Sequence, residues 1–139
     1  MNKFEKNKNK LFRYLKSFDD ILGVYLFGSY NDGSYNENSD IDIAVVYNKK
    51  KDVLEHDAMS VDIEKIFDNT KVDYINLEDV NIFFKFKIIK NGKLIYVTNE
   101  DKLYEYIHKV QNQYIEMSYS KKKYKEYVLN HNSLKGDDN

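Results

Sequence analysis

The sequence predicts an α/β fold of the α+β kind, a small sheet of about four strands flanked by helices and followed by a long C-terminal helix. Three observations predict it. Apolar runs of strand length, beginning with Ile21–Phe27 (ILGVYLF) and Ile41–Tyr47 (IDIAVVY), alternate with longer segments whose apolar residues recur at helical spacing. Clusters of Gly, Asn, Asp and Ser separate the runs. Beyond Thr98, a stripe of Leu103, Ile107, Val110, Tyr114 and Met117 continues less regularly through Tyr124, Tyr127 and Val128, giving roughly 30 helical residues or ~45 Å.

Composition narrows the function classes. The 139 residues fit one domain, expected over 1–132. Charged residues make up 32% and aromatics 15%, yet the net charge is only -1, which argues against disorder and against wholesale attraction to nucleic acid. Cysteine is absent, so disulfides, thiolate metal sites and thiol nucleophiles are excluded. No segment has the apolar length of a signal peptide or membrane span, so a cytoplasmic protein is expected.

Each element follows from its local pattern. Phe4, Leu11, Tyr14, Leu15 and Phe18 predict an amphipathic helix over 4–17 that covers a sheet. Ile21–Phe27 lacks polar alternation, which predicts a strand buried on both faces. It ends at Gly28, which permits a turn or close approach, and at Ser29, a favoured N-cap. A short helix should start there, with 31–38 as loop. In the next strand Ile41, Ile43, Val45 and Tyr47 share one face, and Asp40, Asp42, Ala44 and Val46 the other. Residues 53–67 predict a helix with a break near Ser60, and 71–77 a third strand in which Asp73 points with Ile75 and Leu77. Residues 78–90 predict a helix stopped by Asn91-Gly92, and 94–97 a fourth strand. Thr98 and Asp101 resemble a capping box opening the long helix, expected over 99–130, with 133–139 as a flexible tail.

One constellation carries chemistry. Strand residues two apart project to one face, so Asp40 and Asp42 set two carboxylates side by side. At ~4 Å two such charges repel by roughly 1–4 kcal/mol, which calls for a cation between them. Asp73, polar among core-facing neighbours, needs a partner or a task. Backbone N–H groups and the hydroxyl at Gly28-Ser29 suit phosphate oxygens. Asp40 and Asp42 suit Mg²⁺, a hard cation satisfied by carboxylates, water and phosphates. With Asp73 added, two ions can be bridged, one on a triphosphate and one on an attacking hydroxyl, as in-line nucleotidyl transfer requires.

Gly28-Ser29, ten intervening residues and Asp40-Ile41-Asp42 resemble the signature of the polymerase-beta-like nucleotidyltransferases, and the short chain resembles their minimal (MNT) subgroup. Gly92-Lys93-Leu94-Ile95-Tyr96 is similar to a turn and strand of MNT antitoxins. The resemblance implies a mixed sheet, a triphosphate bound by Gly28 and Ser29, and two Mg²⁺ ions held by Asp40, Asp42 and Asp73, with Asp73 close to the incoming hydroxyl. It also implies ATP as donor and a HEPN ribonuclease toxin as partner, neutralised by transfer of AMP to its tyrosine. In one departure, Tyr30, Asn31 and Asp32 stand where the family often has arginines.

Competing readings fit less well. An EF-hand fails because Ile41 sits where the loop needs glycine and no Glu follows at the required distance. A dehalogenase-type phosphatase would want a hydroxyl residue at Ala44. A P-loop is excluded because no glycine-rich loop precedes Gly92-Lys93. Asp19, Asp20, Asp52, Asp62 and Asp68 read as solvated, and His56, His108 and His131 as surface histidines. Lys121, Lys122, Lys123 and Lys125, interleaved with tyrosines, read as a solvated docking helix for a protein rather than an RNA site. Two alternatives stay open: a subunit that blocks its partner by docking without chemistry, and nucleotidyl transfer to a small molecule such as an aminoglycoside.

Overall fold

The computed structural model describes residues 1–137, with side chains to His131; the tail expected at 133–139 lies outside the residues whose side chains are described. The elements run α1 (Lys3–Leu15), β1 (Ile21–Phe27), α2 (Ser29–Asp32), β2 (Ile41–Tyr47), α3 (Val53–Ile66), β3 (Val72–Asn76), a 3-10 turn (Leu77–Asp79), α4 (Ile82–Asn91), β4 (Lys93–Val97) and α5 (Glu100–Asp137). The strands lie in the order β3-β2-β1-β4. β1 is antiparallel to β2 and β4, and β2 is parallel to β3, so the sheet is mixed.

Helices cover both faces, which is why the two central strands read as continuous apolar runs. On one face Phe4, Leu11 and Leu15 of α1 and Met59 and Ile63 of α3 pack on Ile41, Ile43 and Val45. On the other, Ile88 of α4 and Leu103 of α5 pack on Tyr25, Ala44 and Val46. Burying each such large aliphatic side chain contributes about 1.5–3 kcal/mol. The 42-44-46 parity places Asp42 on the second face.

Several local expectations are corrected. α3 runs unbroken through Ser60, because Asp52 caps it by accepting from the Leu54 and Glu55 N–H groups at 2.8 and 3.2 Å, and buried Met59 and Ile63 anchor both sides of the serine. The helix expected over 78–90 is divided into the 3-10 turn and α4, because Asn76 and Asn81 each cap a separate start. Gly92 stops α4 at an ordinary φ of −73°, so its glycine answers a close approach: a Cβ there would lie 2.5 Å from the Ile88 carbonyl oxygen. Thr98 caps nothing; its hydroxyl donates to the Ile21 carbonyl at 2.6 Å, and Asn99 accepts from the Lys102 N–H at 3.0 Å to open α5.

Asp20, read as solvated, is interior, and His56, read as a surface histidine, is half-buried. Asp20 is 6% exposed and pairs with Lys51 at 2.9 Å, the Lys51 ammonium lying over the rings of Phe18 and Tyr47. His56 stacks on Tyr74 and joins a closed ring of hydrogen bonds. Its Nε2 faces the Tyr74 carbonyl at 2.9 Å and must therefore donate, which leaves Nδ1 to accept from the Tyr47 hydroxyl at 2.8 Å. The Tyr74 hydroxyl then donates to that of Tyr47 at 3.0 Å. β2, β3 and α3 are thereby tied together on the face opposite Asp42. Among the described residues no helix is long and apolar enough to cross a membrane.

Candidate active site

β1 ends at Phe27 in register with Asp42 of β2, and Asp42 is in register with Asp73 of β3. The row Phe27, Asp42, Asp73 crosses three strands at one end of the sheet, on the face that α4 covers. Parallel pairing of β2 with β3 is what brings Asp73 beside Asp42, a neighbour thirty-one positions away that no local pattern reveals. Asp40 lies just before β2, where the Lys71 carbonyl accepts from the Ile41 N–H at 3.1 Å.

Gly28 joins β1 to α2 at φ +70°, ψ −153°, a conformation restricted to glycine. A Cβ at Gly28 would collide with the Asp42 carboxylate. The Gly28 carbonyl accepts from the N–H groups of Asn31 and Asp32, both at 3.1 Å, which closes the single turn of α2. The expectation that Ser29 is the N-cap is corrected: Gly28 holds that position and Ser29 is the first helical residue. The loop beyond is ordered by stacking of Tyr30 on Tyr35, centroids 4.7 Å apart.

Electrostatics single out Asp42 within the row. Asp42 has its carboxyl pushed up to about 6, first by burial and then by the charges of Asp73 and Asp40, with Lys71 opposing weakly. A cation beside Asp42 would relieve the repulsion that its two neighbours exert on it. Lys71 supplies part of this now, its ammonium 3.5 Å from Asp40. The donor set is all oxygen, which fits Mg²⁺ and not a thiolate- or imidazole-preferring metal. Among the described residues no three acidic or histidine groups converge to cage an ion by themselves. That too fits Mg²⁺, which is held by one or two carboxylates and completed by water and substrate phosphates.

A cleft of about 430 Å³ opens between the β1–α2 junction and α4, walled by Phe27, Gly28, Asn31, Phe84, Lys87 and Ile88. Phe84 meets Phe27 edge to face, and Asn31 donates to the Asn91 carbonyl at 2.8 Å across it. The cleft continues the Phe27 end of the carboxylate row. All five residues singled out from sequence, Gly28, Ser29, Asp40, Asp42 and Asp73, lie at this one end of the sheet. Lys71 and Lys87 were not singled out; Lys71 carried a signal, since it directly precedes the strand that holds Asp73.

Comparison with known proteins follows the same lines. A curated relative, protein adenylyltransferase MntA of Shewanella oneidensis, is 29% identical over 96 residues, 68% of each chain. A solved structure described as a toxin-antitoxin with AMP-PNP is 25% identical at a TM-score of 0.74, covering 88% of this chain and 98% of that one. Another, tri-AMPylated Shewanella oneidensis HEPN toxin in complex with MNT antitoxin, shares the fold at 22% identity and a TM-score of 0.69, covering 90% of this chain and 98% of that one. The family described as polymerase beta, nucleotidyltransferase matches residues 9–101. With its Gly-Ser turn, its Asp-x-Asp strand and a match running from α1 into α5, the chain belongs to the polymerase beta nucleotidyltransferase family.

Proposed function

We propose that this protein is a cytoplasmic, Mg²⁺-dependent adenylyltransferase that moves AMP from ATP to a tyrosine hydroxyl of a HEPN ribonuclease toxin and so acts as its antitoxin. The register of Asp42 with Asp73, closed by Gly28 against the Asp42 carboxylate, is the observation that carries the reading. The names of the similar proteins, an adenylyltransferase and MNT–HEPN complexes, support the acceptor and the partner.

Asp40, Asp42 and Asp73 would hold Mg²⁺, which when bound neutralises triphosphate charge and aligns the attacking and leaving oxygens. Gly28 and Ser29 present backbone N–H groups and a hydroxyl to the phosphates beside Asp42. Asp73, the exposed member of the row, faces the acceptor and takes the proton from its hydroxyl. The tyrosine oxygen forms a bond to the α-phosphorus as the bond to the bridging oxygen breaks, and pyrophosphate leaves. The fold is a single domain over 1–132, whose α5 supplies the docking helix over 99–130. There Ile115, Met117, Tyr119, Tyr124, Tyr127 and Leu129 stand exposed beyond the part that packs on the sheet.

Incubation with Mg²⁺, ATP and the HEPN partner, read by intact mass, tests the proposal. A gain of one AMP or a multiple on the partner is expected, and none with the Asp40→Asn, Asp42→Asn pair. An unchanged partner mass, with the complex intact and the cell protected, would instead establish the docking-only reading.

A further inference from the structure

The first turn after Gly28-Ser29 is Tyr30, Asn31 and Asp32, so α2 offers the polyphosphate no cation. Asp32 even adds a negative charge, which Ser34 holds in place through its N–H at 2.9 Å and its hydroxyl at 2.6 Å. A triphosphate brought to this end of the sheet also meets three carboxylates. Positive charge from the protein on the cleft side, beyond what Mg²⁺ brings to the carboxylates, must come from outside α2.

The candidates separate by position. Lys71 is drawn to Asp40 at 3.5 Å. Lys85 is buried and bonded to Glu78 at 3.5 Å. Lys93 acts on Glu5 of α1, across the sheet from Asp42. Lys87 alone among the residues walling the cleft is cationic, and it faces Gly28 from α4. Its side chain is exposed, and among the described residues no carboxylate lies within ion-pairing distance of it. Phe84, one helical turn earlier on α4, lines the same cleft and meets Phe27, whose strand partner is Asp42. Lys87 therefore lines the cleft at the Phe27–Gly28 end, beside the strand residue that pairs with Asp42.

We propose that Lys87 is the polyphosphate-binding residue of this enzyme, reaching from α4 to the nucleoside triphosphate seated at Gly28-Ser29 and replacing the cations that α2 lacks. The inference rests on the nucleotidyltransferase reading above. It assigns nucleotide binding jointly to two elements far apart in sequence, with α2 giving N–H groups and α4 giving charge.

Calorimetric titration of the full chain with ATP and Mg²⁺ tests it, alongside Lys87→Met, Lys87→Arg and, as a control elsewhere on α4, Lys90→Met. Loss of a charge-assisted contact should weaken ATP binding about tenfold or more in Lys87→Met. Lys87→Arg should restore most of that loss, and Lys90→Met should match the parent. All three should keep the parent's thermal midpoint, since both lysines are exposed. ATP binding by Lys87→Met equal to the parent's would overturn the role of Lys87 while leaving the enzyme reading intact. A parent chain that binds no ATP would overturn both.

Discussion

Gly28 and Asp42 are fitted together with no room for a methyl group between them: a Cβ on Gly28 would occupy the space of the Asp42 carboxylate. The Gly-Ser and Asp-x-Asp motifs are thus one steric unit, since the glycine that turns β1 into α2 is also the wall that positions the aspartate. Gly28→Ala should cost about 1–3 kcal/mol for the glycine-only backbone alone, and should displace the carboxylate. Chemical denaturation would record the stability loss, and Mg²⁺-ATP titration should show binding lost even where the variant remains folded.

Asp42 also gives a pH dependence with a definite sign. Folding raises its carboxyl from the ordinary 3.8 to about 6, so the folded chain binds more protons than the unfolded one between these values. Stability therefore falls as pH rises through that window, and the full penalty is present above it. With metal chelated, Asp42→Asn should stabilise the protein at pH 7, by on the order of 1 kcal/mol after solvent screening, and change little at pH 4. Melts at the two pH values check this. A variant less stable at pH 7 than the parent would contradict the electrostatic account.

The hydrogen-bond ring of His56, Tyr47 and Tyr74 is closed, so opening it strands a buried group. Tyr47→Phe removes the donor to His56 Nδ1 and the acceptor for Tyr74. A cost of about 1–3 kcal/mol is expected in urea unfolding.

For the buried Asp20–Lys51 pair, removing one partner should hurt more than removing both. Lys51→Met leaves Asp20 buried without its cation and should cost about 3–5 kcal/mol. Adding Asp20→Asn should recover a large part of it. A double-mutant cycle gives the comparison.

The exposed half of α5 should matter to the partner and not to the fold. Tyr124→Asp with Tyr127→Asp, at positions 68% and 59% exposed, should leave the melting temperature unchanged. Analytical gel filtration with the HEPN partner should show the complex lost.

Period and composition made the strands, the two-sided burial of β1 and the presence of a long final helix legible in the sequence; that helix, expected over 99–130, runs on to Asp137. The site was legible as far as the chemistry is local: Gly28, Ser29, Asp40 and Asp42 sit within one short stretch of chain. What escaped depends on tertiary placement. Nothing near Asp20 tells of Lys51, thirty-one residues away, and His56 reads as a surface residue until Tyr47 and Tyr74 surround it. Caps were misassigned by one residue: Thr98 for Asn99, two adjacent side chains that can both cap, and Ser29 for Gly28, where the positive φ of the glycine, not a side chain, sets the start of α2. Lys87 is one lysine among many until α4 is laid along β1.

The tyrosine–histidine ring has a consequence for how this protein can change over generations. A one-residue slip of β3 along β2 would turn Asp73 to the opposite side of the sheet. The bond between Tyr47 and Tyr74 resists that slip from the side away from the carboxylates. Alignment is therefore guarded by residues on the face opposite the candidate site, and the site's own face is released from guarding it. Substitutions around Gly28-Ser29, including the arginine-free turn this chain carries, can accumulate there without putting strand pairing at risk.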